Sequence, residues 1–516
     1  MAEPVPLLDY EQLRNAVCGT DKSPAAAAIR LRAKLQPAGG RGTKVFPPTY
    51  AGGVYATEKR RIGERVVECV LLDSVQSQAN RLEQALLQAY RDGKLSFPLL
   101  SVEFPADLPD IGSVTTLDAP HRIFDAILRD SEVAVNGQDM PTPFRSQLKA
   151  EGKKDTSKIS AEGEAISKAN VRNATPLFEL CPTALIFGAW DSTGAAGGLG
   201  NKFARALVSE IVGVGAVYGV RTASRIDPLG ITGGKIFEDV NGDWTPNDDN
   251  NTKKVKVKRD KEEVEEPVPF ARKKSSDDAG KPSEINHSNV TPDIVRYAKA
   301  DSNTPDILRG REVNINYSVS TEEGQVAQRG LFRTGDTSIR EKFPRPGGAT
   351  VEYAEQTTVL SLAALRRLRF PAPQTTSTDN NPEQVKQDGP EGINEASAEA
   401  KPIEIDLEKA KQERKLRAEV DFEARTVLAA LALAAVAHQI DPPDYFLRSN
   451  CQLVLKSDPV FKIVFSASRT EKFTLTAPQA DAIFEKAVRA WKAAWKAAYA
   501  PMEPDDAVKY PWREAG

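Results

Sequence analysis

Residues 66 to 89 change their apolar period at Asp73, and that change fixes a strand running directly into a helix. Val66, Val67, Cys69, Val70, Leu71 and Leu72 form an apolar, partly β-branched run with the length of a buried strand. Beyond Asp73 the apolar residues Ala79, Leu82, Leu86 and Ala89 recur every three or four positions, the spacing of one buried helix face. Asp73 with Gln76 three residues on has the form of an N-cap and capping box, so the helix is expected to start there. Its first turn carries Gln76, Ser77, Gln78, Asn80 and Arg81, where a surface helix more often carries Glu and Lys. Amides and hydroxyls make directional hydrogen bonds, and a guanidinium makes a strong phosphate contact. Two readings stay open: a polar turn facing solvent, or a helix start that grips a polyanion or a neighbouring subunit.

A chain of 516 residues can bury a large core, and its length suggests two to four structural units. The net charge of -3 excludes a uniformly basic nucleic-acid binder, so any such function must come from local patches. Cys18, Cys69, Cys181 and Cys451 lie far apart without a CxxC pair, which argues against zinc-ribbon spacing and a dense disulfide frame and points to a reducing, cytoplasmic setting. Met1 to Tyr10 has neither the basic nor the apolar region of a secretory signal. The apolar run Val427 to Ala437 is too short to span a bilayer, which takes about 20 residues, so no membrane partner is expected.

The local patch is residues 30 to 65. Arg30, Arg32, Lys34, Arg41, Lys44, Lys59, Arg60, Arg61 and Arg65 stand there against Glu58 and Glu64, a local excess of seven positive charges. Arg30, Arg32 and Lys34 alternate with Leu31, Ala33 and Leu35, so a strand would carry one basic and one apolar face. Glycines and Tyr50 and Tyr55 lie among the later cations. Cations for phosphates, rings for bases and glycines for close backbone approach are what a single-stranded nucleic acid requires, although a charge run is also commonly just a solvated face.

Further along, Leu117 to Asp130 reads as a short amphipathic helix with Asp118 near its N-cap and His121 and Arg122 at its start, where an anion would be held. Residues 131 to 175, with Asn136-Gly137 as a hairpin signal, read as an excursion from the core. Thr183 to Trp190 reads as a strand, Asp191 to Gly200 as a glycine-rich loop, and Phe203, Leu207, Val208, Ile211 and Val212 as the buried side of a helix. Such a loop presents amides to a phosphate, with Ser192 in the loop and Lys202 and Arg205 beside it. A tight turn needing glycine dihedrals is the plainer explanation. The loop has neither a Gly-x4-Gly-Lys-Ser/Thr string nor a third dinucleotide-type glycine. Arg225 lies in a second basic stretch, Ser224 to Gly230.

Asp239 to Asp243 resembles the start of a calcium loop but has Trp244 and Asn250 at the positions that need Gly and Glu, so it is taken as a turn. Residues 245 to 284 hold ten basic and ten acidic side chains and are expected to form a flexible insert. Val313 to Val319 alternates like a half-exposed strand, Glu352 to Arg369 reads as a helix ending in Arg366, Arg367 and Arg369, and 372 to 402 reads as an acidic linker. Asp406 to His438 then reads as one long helix, Cys451 to Thr476 as a strand pair, and the last helix places Trp491 and Trp495 on one face.

Six strings in order resemble a CRISPR-associated family. They are Pro47 to Tyr50, Leu71 to Arg81, Ala119 to Arg122, Phe187 to Ser192, Ser209 to Gly213 and Ser224 to Gly230. The family is the RAMP-superfamily backbone subunit, Cas-seven, of the type I-G (formerly I-U) Cascade complex. Similarity runs over about 28 to 235 and is weaker at 310 to 370 and 425 to 470. It implies an α+β fold with a modified RRM-like (ferredoxin-like) core, large inserts and a helical C-terminal region. On that basis 1 to 240 holds the first part of the core with a thumb-like insert within 131 to 175, 241 to 310 is a charged insert, 311 to 371 completes the core, 372 to 402 is a linker and 403 to 516 is helical.

The resemblance implies a subunit without catalysis or cofactor that forms a filament along CRISPR guide RNA. Its partners would be the guide, a target DNA strand paired to the guide, further copies of itself and other Cascade subunits. The candidate RNA contacts are Arg30, Arg32, Lys44, Tyr50, Lys59, Arg60, Arg61, Gln76, Ser77, Gln78, Asn80, Arg81, His121, Arg122, Ser192, Lys202, Arg205 and Arg225. The rival reading is a metal-dependent ribonuclease of the same superfamily cutting through Asp73 or Asp191, although neither has a second carboxylate at useful spacing. A histidine-based processing enzyme is disfavoured because His121, His287 and His438 stand apart.

Overall fold

The computed structural model describes residues 4–50, 54–104, 111–133, 142–145, 147–148, 154–155, 159–192, 202–220, 237–241, 244–245, 252–259, 262–268, 346–372 and 407–499. The chain divides into two compact units, 1–220 with 345–516, and 221–344. The first is α+β. Its centre is a nine-stranded antiparallel sheet built from β1 (Ala28–Pro37), β2 (Thr57–Ile62), β3 (Arg65–Asp73), β4 (Leu207–Val214), β5 (Tyr353–Ser361), β6 (Phe446–Arg448), β7 (Cys451–Leu455), β8 (Phe461–Val464) and β9 (Thr470–Phe473). The order is β6-β7-β1-β5-β4-β3-β2, and β8 pairs with the other half of β1 and carries β9. Four longer helices pack in this unit, α1 (Tyr10–Cys18), α2 (Val75–Arg91), α3 (Leu407–Ile440) and α4 (Ala477–Tyr499).

Strand β1 shows the expected alternation. Ile29, Leu31, Ala33 and Leu35 are buried, whereas Arg30 is half-buried and Arg32 and Lys34 are exposed. Ile29, Leu31 and Ala33 join Leu82 and Leu86 of α2 and Val427, Leu428 and Leu431 of α3 in one core. The helix read from the period change is α2, and Ala79, Leu82, Leu86 and Ala89 are all buried. In α3 every residue from Ala424 to Ala437 is buried, because this half of the helix is surrounded by α1, α2, α4 and the short helices; its charged first half is largely exposed. No helix among the described residues is long and apolar enough to cross a membrane. Trp491 of α4 is core, 1% exposed, with its ring 5.0 Å from Phe178 and 5.5 Å from Trp495.

Several local expectations are overturned. The cap of α2 is Ser74, whose side chain accepts from the Ser77 amide; Asp73 ends β3 with its side chain buried. Thr183 to Trp190 is mainly a helical turn, Pro182–Phe187, with only Ala189–Trp190 extended. Leu207 to Val214 is strand β4, not a helix. Its residues Val208, Ile211, Val212 and Val214 are β-branched, and a central place between β5 and β3 buries both of its faces near Val212, so apolar spacing alone did not distinguish the two periods. A Cβ at Gly213 would stand 2.6 Å from Val351 Cγ1, which explains the glycine at this crossing.

Glu352 to Arg369 is likewise strand β5 followed by one helical turn, Leu362–Leu365. The run Thr357, Thr358, Val359 favours extended backbone. Arg366 donates to the Ala26 carbonyl at 2.7 Å, and Arg369 faces Asp421 of α3 at 3.5 Å, so these arginines fasten the turn. Leu117 to Asp130 holds only a 3-10 turn at Arg122–Phe124 and a single turn at Ala126–Arg129. Cys451 to Thr476 supplies three strands where a pair was expected. In the second unit, 254–259 and 262–267 form an antiparallel hairpin, so that part of the segment read as flexible is ordered by a ladder. Most of 131–158, the glycine loop 193–200, residues 313–319 and the linker 373–406 lie outside the described residues.

Strand β5 carries a polar residue into the core at Gln356, which is fully buried. Its Nε2 donates to Gln78 Oε1 at 3.0 Å and to Gln439 Oε1 at 2.9 Å, and its Oε1 accepts from Tyr445 at 2.8 Å. Replacing it should leave Gln439 Oε1 and the Tyr445 hydroxyl without this buried partner, while Gln78 Oε1 keeps its bond from Ser209, and each unpaired polar group costs about 1–3 kcal/mol. Gln356→Leu is therefore expected to lower unfolding stability by about 2–5 kcal/mol in a urea titration; an unchanged midpoint would show the network to be energetically idle.

Candidate nucleic-acid interface

The side of the sheet away from the helical core carries the even-numbered residues of β1. Register places Lys472 of β9 opposite Lys462 of β8, and Lys462 opposite Arg30 of β1. Three cations thus stand in one cross-strand row spanning about 9.6 Å at normal strand spacing. None of the three has an ion-pair partner among the described residues. Arg32 and Lys34 continue the basic side along β1 at steps of about 6.8 Å. Arg32 pairs with Glu355, its Nε donating at 3.1 Å, and Lys34 Nζ lies 4.8 Å from the centre of the Tyr353 ring. Like charges placed directly across strands destabilise a sheet, so this row favours a bound polyanion.

Toward β2 the same face becomes apolar. Cys69, Val212 and Val214 form a small cluster with Leu71, Val67, Ile62 and Tyr353. Arg60 of β2 reaches across β3 to Glu210 of β4, donating at 2.8 and 3.2 Å, and also to Glu58 at 2.5 Å. These carboxylates, Glu210 foremost, hold the guanidinium pKa well above its ordinary value. Arg60 is a strap over the cluster, whereas Lys59 and Arg61 beside it are exposed. Burial pushes the Tyr353 phenol up, consistent with a ring packed at the edge of the cluster.

The string from Asp73 to Arg81 is used mainly inside the fold. Asp73 Oδ2 accepts from Gln78 Nε2 at 2.6 Å and from Arg81 Nε at 3.0 Å, and Arg448 lies 3.6 Å from its other oxygen. Arg81 also donates to the Phe446 and Leu447 carbonyls at 3.0 and 2.6 Å, tying β6 to the start of α2. Gln78 accepts from Ser209 at 3.0 Å, and Ser209 shares a hydrogen bond with Thr358. Gln76 and Asn80 point outward, and Ser77 is half-buried. The polar turn is therefore neither simply solvated nor wholly free for a ligand.

Arg122 is committed in the same way. It is 8% exposed, its Nε and Nη2 donate to Glu83 at 2.5 and 2.8 Å, and its Nη1 donates to the Gly188 carbonyl at 3.1 Å. Burial pushes the Glu83 carboxyl above the usual range, and Arg122 pulls it partway back. Arg205 donates to the Phe187 carbonyl at 3.0 Å. His121, Ser192 and Lys202 are exposed, with Lys202 5.0 Å from the centre of the half-exposed Trp190 ring. Arg225 lies outside the described residues.

Lys44 is positioned by glycines. A Cβ at Gly219 would stand 3.1 Å from its Cδ and one at Gly348 2.7 Å from its Cγ, so its stem lies against both, with the ammonium 5.3 Å from the Phe46 ring centre. Tyr50 is exposed on a two-residue strand paired with Val54–Tyr55. The open face also gathers Lys462, Lys472 and Tyr353, which sequence reasoning did not single out. Alternation in Phe461 to Val464 was the available signal for Lys462; the placement of Lys472 depends on distant strand pairing.

Asp191 is buried against Arg145, and the Arg145 guanidinium also lies over the Phe124 ring. Among the described residues no group of three or more His, Cys, Asp or Glu is placed to hold a metal ion. Removing Arg122 alone would leave Glu83 unpaired in the core; Arg122→Ala is expected to cost about 3–5 kcal/mol of stability in a denaturant titration. A loss below about 1 kcal/mol, the range of an exposed pair, would show that this one is not a structural tie.

Residues 29–218 match the family model described as CRISPR-associated protein GSU0053. No curated protein is significantly similar to the chain. The matched segment runs from β1 through β4, including the strand-to-helix junction and the Arg122 pair. Over these residues the chain is similar to that CRISPR-associated family, which supports a Cas-seven-like subunit.

Proposed function

We propose that the protein is a non-catalytic backbone subunit that binds CRISPR guide RNA along the open strand face and assembles in several copies on it, in a Cascade complex of type I-G. The observation that carries this reading is the row Lys472, Lys462, Arg30 with Arg32 and Lys34 beside it. Its cations meet phosphates, Tyr353 and Tyr50 offer ring faces, and the apolar patch beyond them excludes water. Such a surface holds a strand without reading its bases, and sequence recognition is left to pairing between guide and target. The CRISPR-associated family supplies the cellular context.

The ribonuclease alternative has little geometric support. Asp73 and Asp191 are each buried against arginines, whose positive charge competes with a metal ion for the same oxygens. Labelled single-stranded RNA incubated with excess protein and Mg²⁺ or Mn²⁺ is expected to stay intact. Specific cuts that disappear in Asp73→Ala or Asp191→Ala would replace the scaffold with a nuclease.

The direct test of the binding face is the triple variant Arg30→Ala, Lys462→Ala, Lys472→Ala. It should weaken binding to every RNA sequence alike and flatten the slope of log K against log salt by about 2, since each phosphate that a cation neutralises on a single strand contributes about 0.7. Unchanged affinity and slope would remove the open face from the interface.

A further inference from the structure

A narrow groove opens between the helical turn after β5, Leu362–Leu365, and the two-residue strand Lys202–Phe203. It encloses about 220 Å³, and the apolar side chains lining it include Leu185, Phe203, Leu365 and Leu368, each at most 6% exposed. Its charged lining residues are Lys202 and Arg367, with no acid among them. Both are exposed, Lys202 lies over the Trp190 ring, and neither has an ion-pair partner among the described residues. An apolar slot with unpaired cations at its rim suits a segment that brings one apolar side chain between carboxylates, and it rejects a basic one. The groove lies level with the middle of α3, where the Leu368 carbonyl accepts from Arg425 at 2.7 Å and the Phe370 amide donates to Asp421 at 2.8 Å.

We propose that this groove holds the acidic segment of the same chain, residues 373–406, with Ile393 in the slot and Glu391 and Glu395 beside Lys202 and Arg367. The segment lies outside the described residues and carries eight acids against Lys386 and Lys401. It leaves from the groove itself, since Leu368 lines the groove and Ala372 precedes the segment. Tether length then selects the anchor. Leu407 begins α3 fourteen residues before Asp421, about 21 Å away along the helix. Ile403 and Ile405 stand four and two residues before Leu407 and reach at most about 14 Å back from it, so they fall short. Ile393 stands fourteen residues before Leu407 and 21 after Ala372, and even the shorter stretch extends to about 46 Å. Val385, the remaining branched aliphatic residue, adjoins Lys386, whereas Ile393 has an acid two positions away on either side. In extended backbone those three side chains point the same way. Attachment at both ends keeps the segment near the groove, so individually weak contacts can hold it there.

The test is carbodiimide cross-linking, which couples a carboxylate directly to a lysine amine within ion-pair distance. An equal mixture of isotope-labelled and unlabelled full-length protein, free of nucleic acid, is treated and read by mass spectrometry. The expected products are amide links from Lys202 to Glu391 or Glu395, found within heavy or within light chains and not between them. Their yield should fall at least five-fold in Ile393→Ser and persist in Ile393→Leu. No link from the segment to Lys202 would overturn the proposal by leaving the groove without this occupant. Links shared equally between heavy and light chains would overturn it by assigning the groove to another copy, and a yield unchanged in Ile393→Ser by showing that charge alone brings the groups together. The experiment contains no RNA, so its result is independent of the strand-face reading.

Discussion

The division of β1 into an apolar and a basic side is the constraint from which the rest of the first unit follows. Ile29, Leu31 and Ala33 can be buried only against α2 and α3, and that burial obliges Arg30, Arg32 and Lys34 to share the opposite side. Pairing with β8 and β9 on one flank extends the basic side through Lys462 and Lys472, and pairing with β5 on the other brings Tyr353 and Glu355 next to it. A slip of one residue would send the cations into the core, so the hydrophobic pattern that holds the sheet also fixes where the charge lies.

The polar groups conspicuous in the sequence divide between two tasks. Gln78, Arg81 and Asp73, together with Ser209, Thr358, Gln356, Gln439 and Tyr445, tie β3, β4, β5, α2, α3 and the β6 strand through bonds that no apolar residue could replace without leaving a partner unpaired. Glu83 and Arg122 do the same between α2 and the turn near Gly188. These buried networks make the junction specific in geometry. The exposed strand positions carry residues with plainer chemistry, lysines and arginines, and it is these that the proposed function turns toward RNA.

Much of this fold was legible wherever a single period dominated. The alternation in β1, the switch from strand to helix at Asp73, and the long helix ending near His438 could be read directly because one face alone was apolar or because the run was long. Strands β4 and β5 were misread because β4 is apolar in both periods and β5 turns Gln356 and Thr358 inward, reversing the usual signal. The basic patch was legible on β1, but its continuation across β8 and β9 depends on partners more than 400 residues away in sequence, which no local window contains. Arg60 and Arg122 had the right chemistry for phosphate, yet Glu210 and Glu83 claim them, and only the folded arrangement brings those carboxylates close.

The most direct measurement is lysine-reactivity footprinting of the protein with and without a saturating single-stranded guide RNA, read by mass spectrometry. Protection by RNA at Lys34, Lys462 and Lys472, with Lys486 and Lys22 equally reactive in both states, is the result expected if the strand is held on the open side of the sheet. Protection confined to Lys486 and Lys22, with the three strand lysines unaffected, would contradict it.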